Sequence, residues 1–163
     1  MRILALCGSL QAESANLSLL RVAATKVPAD VEIVVFDGLR ALPHFDPDLE
    51  KPDVPESVSR WRRALADNDA LLIASPEYGH SLPGALKNAI DWVIGSGELE
   101  SKLVAVTAST PGPGRGVRGL EALLVTLGAV RARIVGGTPI VRGPTFEQEV
   151  AHLVEALVAA VRE

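Results

Sequence analysis

Two kinds of apolar segment alternate along the chain. Ile3–Cys7, Val31–Phe36, Ala70–Ala74, Leu103–Ala108 and Ala132–Val141 are short, aliphatic and bounded by Gly, Ser, Pro or Asp, the pattern of buried parallel strands. Between them the apolar residues recur at helical spacing: Leu17, Leu20, Ala24, Val27; then Val58, Trp61, Leu65; then Leu86, Ala89, Ile90, Val93. Leu120, Leu123, Leu124, Leu127 and Val150, Leu153, Leu157, Val161 continue the series. Five strands alternating with five helices predict an α/β domain with a parallel sheet covered on both faces. No repeat or linker breaks the alternation, so one domain is expected over residues 1–163. Ala41–Pro55, rich in Pro and Asp, is expected as a surface excursion before the second helix.

Composition narrows the function classes. No apolar run reaches the ~20 residues of a membrane-spanning helix. The opening Met1–Cys7 segment is too short for a signal peptide, so a cytoplasmic protein without membrane contact is expected. The single cysteine, Cys7, excludes an internal disulfide framework and suits a reducing compartment. With His44, His80 and His152 scattered, no metal-ligand set is expected. The formal charge of −4 argues against nucleic acid as a partner, and Arg60, Arg62 and Arg63 read as a solvated helix face.

In parallel sheets of this kind, ligands bind beyond the carboxyl ends of the strands, where strand order reverses. The text after strands one, three and four is accordingly informative. Cys7-Gly8-Ser9-Leu10-Gln11-Ala12-Glu13-Ser14-Ala15-Asn16 leads into the first helix. Ser14 or Asn16 suits a helix cap, and Ser9, Ser14 and Asn16 together with free helix amides suit a phosphate. The loop is neither a Walker motif nor a dinucleotide fingerprint, since only Gly8 is present. After strand three, Ser75-Pro76-Glu77-Tyr78-Gly79-His80-Ser81-Leu82-Pro83-Gly84 precedes Ala85-Leu86-Lys87-Asn88-Ala89-Ile90-Asp91-Trp92. Pro83 suits a first helical turn and Ser81 its cap, while outward amides beside Tyr78 suit the edge of a flat ring system. After strand four, Ser109-Thr110-Pro111-Gly112-Pro113-Gly114-Arg115-Gly116 reads either as a long turn or as close backbone approach to a ligand. Gly128 reads as a helix C-cap.

Gly-Ser-Leu with Ser-x-Asn, then Ser-Pro-Glu-Tyr-x-x-Ser-x-Pro-Gly-x-Leu-Lys-Asn-x-x-Asp-Trp, resembles the NADPH-dependent FMN reductase family, which includes azobenzene, quinone and chromate reductases. The resemblance covers nearly the whole chain. It implies a flavodoxin-like three-layer sandwich, its five-stranded parallel sheet in the order 2-1-3-4-5. It further implies an FMN phosphate held by Ser9, Ser14, Ala15 and Asn16, with Gln11 in the same loop. The isoalloxazine would rest on Pro76, Glu77, Tyr78 and Gly79, flanked by the loop carrying Ser109, Gly112 and Gly114. Leu42-Pro43-His44-Phe45-Asp46 is loosely similar to a family segment at the site mouth. Gln11 departs from the pattern, since many relatives carry Arg there. Either the phosphate is held more weakly, or Arg115 or a basic residue of a second subunit compensates.

The activity implied is electron transfer from NADPH or NADH to small acceptors such as quinones, azo compounds, chromate or free flavin. It would run as a ping-pong cycle with hydride passing through flavin N5, the cofactor carrying the chemistry and no side chain being catalytic. Glu77 or His80 as a proton donor is the lesser alternative, as is a core role for Tyr78. A flavodoxin-type carrier and a flavin-free interaction module are the competing classes. Leu82, Ile90, Trp92, Val93 and Ile94 exceed the needs of one helix face, so a homodimer or homotetramer is expected.

Overall fold

The computed structural model describes residues 1–50 and 52–163. The strands are β1 (Arg2–Cys7), β2 (Glu32–Phe36), β3 (Ala70–Ala74), β4 (Leu103–Thr110), β5 (Arg133–Ile134) and β6 (Pro139–Val141). The helices are α1 (Ala15–Thr25), α2 (Glu56–Ala66), α3 (Gly84–Asp91), α4 (Val117–Ala129) and α5 (Phe146–Arg162). All strand pairs are parallel and run β2-β1-β3-β4-β5, with β6 also paired to β4. Strand order therefore reverses between β1 and β3, and the flavodoxin-like topology holds.

Side chains alternate across the sheet, and the two faces differ in bulk. Leu4, Leu6, Leu71, Ile73, Val104 and Val106 face the core shared with α2, α3 and α4, where Trp61 and Trp92 are fully buried. The opposite face carries Ala5, Ala70, Leu72, Ala74 and Ala105 against α1 and α5. Its small residues let those helices lie close to the strands.

The predicted strand Ala132–Val141 is a correction. β4 pairs Val104 with Ile134 and Ala108 with Pro139, so four steps on β4 match five on its neighbour. The one extra residue is a bulge at Gly136-Gly137, with Gly136 at φ +78°. It splits one edge strand into β5 and β6. The first and fifth stripes are also shifted. Asn16, Leu19, Leu20 and Ala23 face inward on α1, and Val150, Val154, Leu157 and Val158 on α5. On α1 the rotation follows Asn16, which turns inward to hydrogen-bond the β4 loop.

Gly128 is not a C-cap. It lies in the last turn of α4, and Arg131 takes the left-handed position at φ 56°. The Arg131 N–H donates to Gly128 O (3.0 Å) and the Ala132 N–H to Leu127 O (3.1 Å), a Schellman closure. The apolar surplus near α3 is absorbed within the chain: Ile90, Trp92 and Val93 are at most 1% exposed, Leu82 is half-buried, and Ile94 alone is exposed. Of these five residues, Ile94 alone is left to argue for self-association. The excursion after β2 holds short turns at Leu39–Ala41 and Pro47–Glu50, with residue 51 outside the described residues. The α2 arginines are locally paired: Arg60 with Asp37, Arg62 with Glu50 (2.6 Å), Arg63 with Glu56 (2.6 Å).

Candidate functional site

Three loops meet at the carboxyl edge of the sheet, at the β1/β3 reversal. Gly8 allows them to meet, because a Cβ there would stand 2.8 Å from Ser75 Oγ. Ser14 caps α1, its Oγ accepting the Asn16 N–H at 3.2 Å. Ser9 Oγ accepts the Gln11 N–H at 3.2 Å and lies 3.4 Å from the Tyr78 hydroxyl. Asn16 Oδ1 accepts the Ser109 N–H at 2.9 Å. The first loop is thus bonded to both of the others. The side chains of Ser14 and Asn16, 4% and 5% exposed, serve these internal bonds, while Ser9 and Gln11 line a hollow of about 380 Å³. Ala15 lines a different one, with Ser18, Ser109 and Arg142.

The β3 loop is a miniature hairpin. Tyr78 and Ser81 exchange both backbone hydrogen bonds at 3.0 Å, and Gly79 and His80 between them have φ of 56° and 61°. Two successive positive φ values define a type I′ turn, which explains Gly79. Ser81 is committed to this turn through its backbone, and α3 starts at Pro83 with no side-chain cap, so the expected Ser81 cap is corrected. The turn holds Tyr78 at the surface, 53% exposed, which removes the core reading of that residue.

Glu77 has a role that the motif did not reveal. Its Oε2 accepts the Gly119 N–H in the first turn of α4 (3.0 Å), and its Oε1 lies 3.2 Å from His80 Nδ1. Those two contacts, the amide first, hold the carboxyl below the usual carboxylate range. Glu77 is therefore ionised at neutral pH with both oxygens engaged, and the proton-donor reading loses its footing. Gly119 is needed for this approach, since a Cβ there would stand 2.9 Å from Glu77 Cβ. A small residue in the first turn of α4 was the only sequence signal.

Pro76, Glu77, His80, Ser109, Gly114 and Arg115 are among the residues that wall a cleft of about 540 Å³ between the β3 and β4 loops. Tyr78, Gly79 and Gly112 are not in its wall, and the Gly112 carbonyl accepts from Thr110 Oγ1 at 3.3 Å. Arg115, one candidate for compensating Gln11, lies in this cleft. The arginine in contact with the first loop is Arg40, which sequence reading missed because it follows strand two. Ser109 Oγ is buried without a hydrogen-bond partner among the described residues, an arrangement that costs about 1–3 kcal/mol unless a ligand or water meets it. A glycine-lined slot, with the exposed Tyr78 on the adjoining turn, fits a flat ring system.

The latter half of the β3 motif acts elsewhere. Asn88 donates from Nδ2 to Pro43 O (2.8 Å) and accepts the Phe45 N–H (2.7 Å), while Trp92 Nε1 also donates to Pro43 O (2.7 Å). Phe45 packs edge-on against Trp92 at 5.1 Å. Leu42–Asp46 is thereby pinned to α3. No helix among the described residues is long and apolar enough to cross a membrane.

Fold and loops together define a flavodoxin-like α/β protein with its candidate site at this edge, and comparison with known proteins makes the class specific. Residues 1–144 match the model of the NADPH-dependent FMN reductase family, and the chain belongs to that family. The description of that family couples NADPH to FMN. A 2-hydroxy-1,4-benzoquinone reductase from Burkholderia sp. is 38% identical over 92 residues, 56% of this chain and 49% of its own length. The chain thus spans about half the length of the first curated relatives it matches. A quinone reductase from Escherichia coli is 31% identical over 136 residues, covering 80% of this chain and 72% of the relative. Among solved structures, the flavoenzyme NAD(P)H:(acceptor) oxidoreductase of Paracoccus denitrificans superposes with a TM-score of 0.81 at 26% identity, covering 99% of this chain and 97% of that one.

Proposed function

We propose that the chain is a single FMN-binding domain that passes electrons from NADPH or NADH to small electrophilic acceptors, quinones and azo compounds foremost. The observation that carries this reading is the cleft between the β3 and β4 loops, walled by Pro76, Glu77, Ser109, Gly114 and Arg115 among others. Ser9, Gln11, Ser14, Ala15 and Asn16 hold the phosphate end, Ser14 and Ala15 through helix-start backbone amides. Pro76, Glu77, Tyr78 and Gly79 support one side of the ring, and Ser109, Gly112 and Gly114 the other. When bound, FMN supplies the two-electron chemistry. The protein's part is positioning: cross-loop bonds fix the platform before any ligand arrives, so little ordering is left for binding to offset.

The test is direct. The purified chain should be yellow, release FMN and not FAD on heating, and consume NADPH steadily with a quinone in parallel-line, ping-pong kinetics. Reduction by NADPH without turnover on any small acceptor would favour an electron carrier, and a colourless protein unable to take up FMN would favour an interaction module. Self-association into a homodimer or homotetramer belongs to the same proposal, supported by Ile94 and Val125, which are 57% and 76% exposed. Sedimentation at micromolar concentration checks it, a lone monomer counting against. A cytoplasmic location accords with the free, buried Cys7 and is checked by fractionation.

A further inference from the structure

We propose that Arg40, in the turn after β2, is the cation that holds the FMN phosphate on the first loop. The inference rests on the flavin reading above and assigns a residue that the loop motif does not contain.

A phosphate monoester brings about −1.5 to −2 charges at neutral pH. The loop from Gly8 to Asn16 offers hydroxyls and amides but no cation, and Glu13 adds a negative charge. Hydrogen bonds alone would leave that charge uncompensated. Arg40 Nη2 donates to the Leu10 carbonyl at 2.6 Å, so a guanidinium is fixed against the loop backbone. Arg40 also lines the hollow that holds Ser9 and Gln11. It forms no ion pair among the described residues, because Asp37, the carboxylate in the same hollow, is taken by Arg60. A guanidinium has five N–H donors, and the Leu10 carbonyl uses one arm, leaving donors for phosphate oxygens. Arg21 lines the same hollow, but it projects from the second turn of α1 and makes no hydrogen bond to the loop among the described residues, and the remaining basic candidates stand elsewhere. Arg115 and Arg118 line the cleft between the β3 and β4 loops, and Arg142 lines the hollow on the α5 side with Glu13. The bond to Leu10 gives Arg40 a second effect, since it fixes the backbone whose amides face the same anion.

The flavin-stripped chain should be titrated with FMN and with riboflavin, which lacks the phosphate, using quenching of flavin fluorescence. The wild type should prefer FMN. Arg40→Ala should weaken FMN roughly 10- to 100-fold, the range of one charge-assisted hydrogen bond, and leave riboflavin within about twofold. Arg40→Lys should fall between, keeping the charge but losing the fork. The FMN difference between wild type and Arg40→Ala should narrow as salt rises, since the group is exposed. Equal weakening of FMN and riboflavin would reduce Arg40 to a loop support and overturn the proposal. So would an unchanged FMN affinity, or a phosphate-specific loss appearing in Arg142→Ala instead. Failure of the wild type to bind either flavin would instead overturn the flavin reading itself, and the inference with it.

Discussion

A carboxylate set against a helix N-terminus serves better as an anchor than as an acid, because the amides that bind it also stabilise its ionised form. Glu77 is such a group, and its contact with Gly119 ties the ring platform to α4. Its folded carboxyl is held below the unfolded value, so its contribution is complete above roughly pH 4.3 and is lost as pH falls through the lower, folded value. Glu77→Gln keeps an acceptor but no charge. The variant should be less stable than wild type at neutral pH, by a margin that stays flat down to about pH 5 and closes below about pH 4. Denaturant midpoints measured for both proteins across that span test this; a margin independent of pH would show that the charge is not what anchors the loop. None of this was legible locally, for Glu77 and Gly119 lie 42 residues apart. The Asn16–Ser109 bond, spanning 93 residues, was hidden for the same reason.

At the scale of elements, the strand segments were readable because buried parallel strands are short aliphatic runs, and the motif-bearing loops because they follow strand ends. What escaped was geometry that needs a partner strand: the bulge dividing β5 from β6 shows only in the register against β4. The motif from Pro76 to Trp92 is likewise two devices in one stretch of chain. Its first part shapes the Tyr78 hairpin, and Asn88 and Trp92 fasten the Leu42–Asp46 segment to α3. Asn88→Ala removes two hydrogen bonds at ~0.5–1.5 kcal/mol each and should cost about 1–3 kcal/mol in stability. The Phe45 amide, which donates to Asn88, should lose its hydrogen-exchange protection while the β3 amides keep theirs. Lys87→Ala breaks an ion pair with Asp91 at the helix surface and should stay within about 0.5 kcal/mol. Comparable losses in the two variants would mean that Asn88 acts through the helix and not through the pinned loop.

For the whole molecule, the sheet has a bulky core on one face and a small-residue core on the other, and every loop of the candidate site leaves it at the same edge. Rigid strands therefore support a cleft that mixes small residues with Glu77, His80, Arg115 and Arg118. The carboxylate in its wall, Glu77, is already bonded to Gly119 and His80, so the charges left to face an incoming molecule are those of Arg115 and Arg118. Neither arginine is in an ion pair among the described residues, and both stand by the N-terminus of α4, which adds its own positive end. A site with a positive field but no directional set of polar partners should discriminate weakly by structure and moderately by charge. Dedicated hydrogen-bonding sites reject an analogue by about 10⁴–10⁵, and nothing of that size is expected here. Values of kcat/KM for neutral quinones and neutral azo compounds should then lie within about 10³ of one another. Anionic acceptors such as sulfonated azo dyes should outpace their neutral counterparts at low ionic strength, and the advantage should fade as salt is added. Replacing Arg115 and Arg118 together by Ala should abolish that salt-sensitive advantage and leave the neutral acceptors nearly unaffected. An anionic preference that survives both the double replacement and high salt would place the recognition in other groups. Activity confined to one acceptor would mean that the cleft closes into a polar pocket when it is occupied.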